Sequence, residues 1–551
     1  MYTYKTDSPL IDKIEYKQNS TVQARITRAY EAKLDLLKSI QNEELLSGGS
    51  PVTVSKYTYA HDVLNRRTSV VRAGSAFAAS HHDAWGYNER NELTSSDRYN
   101  NTDPNNPTDP NHALDRGYVY DPIGNRKNHT EGTGAATYYC VNQLNEYQSL
   151  TSGVQCPPGQ GQEIELFDYD EDGNITQDDT HDYTWDAENR LIRVEPKGAP
   201  QNGDRKLEFI YAYLGRRVER TLSTYSASAW SVTDRRRFIY YNWLCLAEYS
   251  VDGSGDLDDV LYKYTWGLDL GGSGANPQID TAGGIGGLLA CRDVGASKNY
   301  FYFYDGNGNV GQLVDRADGS IDAKYEYDAY GNTIIKSGAF ADDNPYRFST
   351  KYFDEASSLY YYGYRYYSPR LGRWLNRDPI EERSFETLLD LLGQSVPTHD
   401  FSQISPTNFR LASEWLRLAF ASAEACYSFV GNAPSVHTDF LGLAYNTCTL
   451  KQQRCTSLRK KWVFPFRIIW CVQRKCWWRC WCPDPGNCYR VPCRLGCDRN
   501  HGVEEFRIYG PELQFPFGMV APLCHERVQR VINSGQCGCD DDGGIDDDND
   551  D

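Results

Sequence analysis

The residues best equipped for chemistry lie near the end of the chain. Of 17 cysteines, twelve fall between Cys448 and Cys539, an even number at a density that in an exported chain reads as a disulfide framework. Zinc is the competing chemistry. Cys476, Cys480 and Cys482 are spaced x3 and x1, with His501 further on, but this lacks the paired CxxC spacing of a tetrahedral site. Basic side chains alternate with tryptophan at Arg459-Lys460-Lys461-Trp462 and Arg474-Lys475-Cys476-Trp477-Trp478-Arg479, a pattern that can stack on bases or enter an anionic membrane surface. The plain alternative is tryptophan packing between disulfides. His501 with Glu504 or Glu505, and His525 between Cys524 and Glu526, are candidate acid/base or thiol sites, although lone histidines near acids are more often structural.

Charge divides the chain at the same place. Residues 444–539 carry 15 Lys/Arg and 6 Asp/Glu, a net of +9, and residues 540–551 add eight aspartates. The whole chain is −18, so the body before 444 is −19. Such an acidic body does not coat nucleic acid or anionic membrane, and no apolar run approaches the length of a bilayer crossing. The first residues lack the basic start and apolar stretch of a signal peptide. Export by another route, or a place downstream in a longer chain, is the expectation for a secreted or cell-surface protein.

The elements that must carry these residues are repeats. Tyr, at 41, is twice as frequent as Phe, and it recurs in a fixed setting: two aromatics flanking one residue, then Asp or a substitute, then a turn with Gly or Asn. YVYDPIGNRKN from Tyr118, FDYDEDGNITQD from Phe167, YTWDAENRLIRV from Tyr183, YFYDGNGNVGQLVD from Tyr302 and YEYDAYGNTIIKS from Tyr325 are clear copies. Each predicts a β-hairpin, because alternating aromatic and β-branched residues suit a half-buried pleat and Asn or Gly tolerates positive φ in the turn. One hairpin cannot bury its aromatic face, so successive copies should continue one large coiled sheet. The fold class is mainly β, with repeats over 51–345, a degenerate segment over 1–50 that includes a short helix in AYEAKLDLLKSIQNEELL (29–46), a small Cys-rich module over 444–539 and an acidic tail over 540–551.

Tyr346 to Ile380 then carries a resemblance. Arg347-Phe348, the run through Tyr362, Gly363, Arg365 and Tyr366, then Gly372-Arg373-Trp374 and Asp378-Pro379-Ile380 follow, in order, the core of RHS proteins. This bacterial YD-repeat family is related in shell architecture to the C components of Tc toxins and to teneurins. The resemblance spans about residues 50–443, with the core segment at 346–443. It implies a sheet spiralling into a hollow shell around the polypeptide that follows it, with the core segment curling inward as a plug. About eleven repeats is short for a closed shell, so the sheet is complete or incomplete on this reading.

The resemblance also implies self-cleavage by an aspartic-protease-like pair, in which one carboxylate activates water and the other polarises the carbonyl. The matching positions are Asp378, where Glu381 replaces the family's Gly, and Asp439, where Phe440 replaces its Pro; the bond after Leu443 would be cut. An insertion over about 384–425, helical by its apolar spacing, separates them. The implied function is a shell carrying residues 444–551 as variable cargo in a polymorphic-toxin or contact-competition system. A cognate immunity protein or secretion machinery would be its partners, and nucleic acid or membrane the cargo's target. An adhesion or glycan-binding scaffold with a Tyr-rich exterior, contacting carbohydrate without catalysis, and an inactive remnant are the rival readings. No cofactor is indicated.

Overall fold

The computed structural model describes residues 1–32, 34–46, 50–270, 283–378, 427, 429 and 432–435, and beyond these the backbone of six short strands between 449 and 514. Two compact units result, Met1–Tyr445 and Asn446–Asp551.

The first unit is a meander. Thirteen strands, from Tyr2–Tyr4 to Glu163–Leu166, and then fourteen, from Asp168–Tyr169 to Thr333–Ser337, pair antiparallel in strict chain order. Only Phe167 separates the two sheets, and its N–H still bonds to the Gln148 carbonyl at 3.1 Å, so the ribbon is creased there rather than broken. Both sheets are open at their ends. Among the described residues there is no α-helix, only 3-10 turns at His112–Leu114 and Phe348–Thr350.

The Asp of each repeat builds its turn. At Asp121 the carboxylate Oδ1 accepts the backbone N–H of Ile123 and Asn125, at 3.0 and 2.8 Å, while Oδ2 accepts the Asn125 side-chain amide. Asp170, Asp305 and Asp328 repeat this with Asn174, Asn309 and Asn332. At Asp62 and Asp186 an arginine, Arg66 or Arg190, takes the place of the Asn. The residue before that partner is left-handed in each case, as Gly124 at φ +91° and Asn65 at φ +65° show, which explains the Gly/Asn choice. The same partners tie one turn to the next: Arg66 donates to the Asn88 carbonyl, Asn125 to Asn145 and Asn174 to Asn189. The turns therefore form a bonded rim.

The expected helix over 29–46 is corrected. Thr21–Tyr30 and Leu37–Glu44 are strands, with Ala24, Ile26, Ile40 and Asn42 buried at alternate positions. Pairing along the sheet outweighs the helical preference of Ala, Glu, Lys and Leu.

The two sheets share a buried core within the described residues. Early and late strands meet face to face: Tyr16 OH donates to the Tyr302 carbonyl at 3.2 Å, Asn42 Nδ2 to that of Tyr304 at 2.9 Å, and Ser55 Oγ to Gln312 Oε1 at 2.6 Å. Arg98 bridges Asp83 of its own sheet and Glu326 of the other. The repeat tyrosines Tyr57, Tyr59, Tyr118, Tyr120, Tyr302 and Tyr325 lie inside this core, so the Tyr-rich exterior of the scaffold reading is not what the repeats produce.

In the second unit, Thr449–Gln452, Cys476–Trp481 and Arg490–Cys493 form one three-stranded sheet, and Leu458–Val463, Phe466–Cys471 and Glu512–Gln514 another. Cys482, His501 and the acidic tail lie outside the described residues.

Candidate active site in the core segment

Residues 346–378 fold back onto the meander as a small antiparallel sheet of Tyr352–Asp354, Leu359–Tyr361, Tyr366–Ser368 and Arg373–Trp374. Its entry is fixed by Arg347. This side chain is 1% exposed, ion-paired with Glu355 at 2.7 Å and stacked on the rings of Tyr325 and Phe353. Phe348 packs among Tyr327, Tyr360, Tyr367 and Phe429. Tyr362 meets Trp374 edge to face at 5.0 Å. Gly363, at φ +117°, turns the chain so that the Tyr362 N–H reaches the Arg365 carbonyl at 3.0 Å. Tyr366 OH lies 2.9 Å from Tyr211 OH. Gly372 is left-handed, and a Cβ there would collide with the buried Arg126 guanidinium. Arg373 is sandwiched between the rings of Tyr147 and Tyr427, 4.0 and 4.4 Å from their centroids, and donates to the Asn145 carbonyl of the rim. Every described residue of the core motif thus has a packing reason; Pro379 lies outside the described residues.

Asp378 ends this segment with a side chain 2% exposed. Its Oδ2 is 2.8 Å from Arg365 Nη2, and the Arg365 guanidinium lies 4.1 Å above the Trp374 ring. Arg377, the residue before it, reaches Glu146 at 3.2 Å and Tyr427 OH at 3.2 Å, while Tyr427 OH donates to the Gly173 carbonyl of the rim. The Trp374 N–H bonds to the Tyr427 carbonyl at 3.2 Å, so the chain returns at 427 beside the point it left. Asn432 then reaches Glu92 and the Gly124 carbonyl, and Ser435 reaches Tyr87 OH at 2.8 Å. The geometry yields one enclosed, ion-paired carboxylate on a rigid support. Asp439, Leu443 and the inserted 384–425 lie outside the described residues.

The sequence reading missed what seats this segment. Asp354 is fully enclosed and ion-paired with Arg217, at 2.5 Å, and with Arg220. Burial alone would raise the Asp354 pKa, but the two guanidiniums outweigh it and hold the carboxyl below its ordinary range. Arg217 is itself ringed by Phe209, Phe238, Tyr352 and Tyr361. Only RRVER at 216–220, charged residues where a repeat strand should turn its apolar face inward, hinted at this. The reading also missed a disulfide between Cys140 and Cys156. Among the described residues no cluster of His, Cys, Asp and Glu could hold a metal ion, and no helix is long and apolar enough to cross a membrane.

No family model matches the chain. A tRNA3(Ser)-specific nuclease, WapA of Bacillus spizizenii, is 31% identical over 269 residues, 48% of this chain and 9% of the relative. Toxin subunit YenC1 of Yersinia entomophaga is 32% identical over 155 residues, 26% of this chain and 16% of the subunit. The chain thus spans a small part of the length of these relatives. The solved complex TcdB2-TccC3-Cdc42 superposes over 80% of this chain and 19% of its own, with a TM-score of 0.54 at 17% identity, which shows a shared fold. Hairpin repeats closed by Asp-capped turns and a core segment seated against them are thus found in a chain similar in sequence to parts of WapA and YenC1 and similar in fold to part of the TcdB2-TccC3-Cdc42 complex.

Proposed function

We propose that this chain is the downstream shell and core of a toxin of the polymorphic or contact-competition kind, carrying residues 444–551 as cargo and detaching them by its own proteolysis after Leu443. The observation that carries the reading is the core segment itself, locked into the sheet through Asp354 and Arg373 and ending on the enclosed Asp378. The nuclease and toxin-subunit relatives support a cargo role. The open ends of the sheets and the small share of each relative covered fit a shell completed by further chain or by a partner subunit. A cognate immunity protein and secretion machinery would be further partners, and the basic, Trp-rich cargo would act on nucleic acid or membrane.

In the cleavage step Asp378, oriented by Arg365, takes a proton from water as it attacks the Leu443 carbonyl carbon. Asp439, in its protonated form, donates a hydrogen bond to the carbonyl oxygen. The tetrahedral intermediate collapses, its C–N bond breaking as the amine of residue 444 takes the proton that Asp378 accepted from water. Intact mass under denaturing conditions tests this. Fragments matching 1–443 and 444–551 are expected for the wild type and their absence for Asp378→Asn and Asp439→Asn. One uncleaved mass in all three overturns the proteolysis.

A further inference from the structure

The Cys140–Cys156 disulfide sits where it can control the hold on the core segment. Cys140 is buried in the strand Thr137–Val141, whereas Cys156 is exposed in the connection between Tyr147–Ser152 and Glu163–Leu166. That connection has few other anchors: Gly153 N–H to the Ala136 carbonyl, Thr151 Oγ1 to that of Val154, and a local turn at 159–162. The strand it leads into is four residues long and pairs with Tyr147–Ser152. On its other edge the Leu166 N–H meets, among the described residues, the Asp179 side chain at 3.5 Å. Yet this strand carries Glu165, whose two oxygens take both terminal nitrogens of Arg370, at 2.5 and 2.7 Å, and Arg370 belongs to the core segment. The disulfide therefore anchors a short strand that grips the core segment by a two-point ion pair, to which Asp178 adds a longer contact with the same guanidinium, at 3.3 Å.

We propose that Cys140–Cys156 is a site of reductive cleavage by thiols, and that opening it loosens the strand Glu163–Leu166 and with it the Glu165–Arg370 grip. A thiolate of a dithiol reductant attacks the exposed Sγ of Cys156, forming a mixed disulfide and expelling Cys140 as a thiolate, which takes a proton. The second thiol of the reductant then displaces Cys156. Two electrons pass to the protein, and the reductant departs as its own disulfide. Cys245 and Cys291, the free cysteines among the described residues, are buried and have pKa values pushed up by that burial, so they do not capture the opened pair. The inference is independent of the cargo and of self-cleavage. It makes the clasp firm in an oxidising exterior and loose in a reducing cytosol.

Hydrogen exchange on the full chain, purified without reductant, tests it. Dithiothreitol should speed exchange about tenfold or more over 137–166 and 366–371 and leave the strands at 298–327 unchanged. A Cys140→Ser/Cys156→Ser variant should show the same pattern without reductant, which separates the effect from reduction of the cassette cysteines. Glu165→Gln, with the disulfide intact, should loosen 366–371 alone. The proposal falls if iodoacetamide labels both cysteines in unreduced, denatured protein, if exchange over 137–166 does not respond to dithiothreitol, or if reduction loosens the whole sheet uniformly.

Discussion

Among the described residues a single carboxylate, Asp354, pairs with two arginines, Arg217 and Arg220, of which only Arg220 has a second carboxylate partner, Asp234. Removing it leaves Arg217 buried and Arg220 with only Asp234. Uncompensated buried charge is costly, so Asp354→Ala should lose about 3–5 kcal/mol of stability, read from urea unfolding. Replacing all three charges with apolar residues of similar size should recover most of that loss, because the desolvation penalty disappears with the charges. None of this was legible from sequence: Asp354 sits more than 130 residues from its partners, and no spacing rule links positions so far apart. Asp378 was legible only through the core motif that precedes it, and its partner Arg365 was visible as a motif residue without a role.

Among the elements, the hairpins were the most readable, since local sequence and local geometry agree there. Aromatic alternation gave the strands, and Asp with a partner four residues on gave the turn. Asp305→Ala removes the acceptor of two backbone N–H groups and of the Asn309 amide. About 1–3 kcal/mol should be lost, since the turn is partly buried against the opposing strands; the midpoint of thermal or urea unfolding is the measure. Asp252→Ala, whose equivalent bonds to Ser254 and Asp256 are exposed, should cost clearly less. The strand Leu37–Glu44 was misread because helix propensity is a local quantity, whereas its fate is set by the strands Thr21–Tyr30 and Val52–His61 on either side.

For the molecule as a whole, acid should be the sensitive condition. Asp83, Asp178, Glu326, Asp354 and Glu355 are all held below their ordinary pKa despite burial, by neighbouring arginines at Asp83 and Asp354, by backbone N–H groups at Asp178, by the His81 hydrogen bond at Glu326 and by the Lys336 hydrogen bond, then Arg347, at Glu355. Groups whose folded pKa is depressed stabilise the fold above their unfolded values, near pH 4, and that contribution is lost as pH falls through the folded values. Asp97 and Asp328, raised mainly by burial, act in the opposite sense and offset part of it. His61, His129 and His181, held below the usual histidine value mainly by burial, begin to cost stability as pH drops below about 6.5, so stability should decline gently from pH 7 to about 5 and fall steeply below about 4, followed as the urea midpoint at each pH. A flat profile down to pH 3 would contradict the ion-pair account.

The bond between Trp374 and Tyr427 has a bearing on how such proteins diversify. Because the chain departs and re-enters at adjacent points on the rim, the length of what lies between is decoupled from the register of everything around it. Residues added or lost there leave the Asp378 support, the Arg377 clasp and the Asn432 anchor where they are. The site is a graft junction, a place where evolution, or an engineer, can splice in a new module without refolding the host.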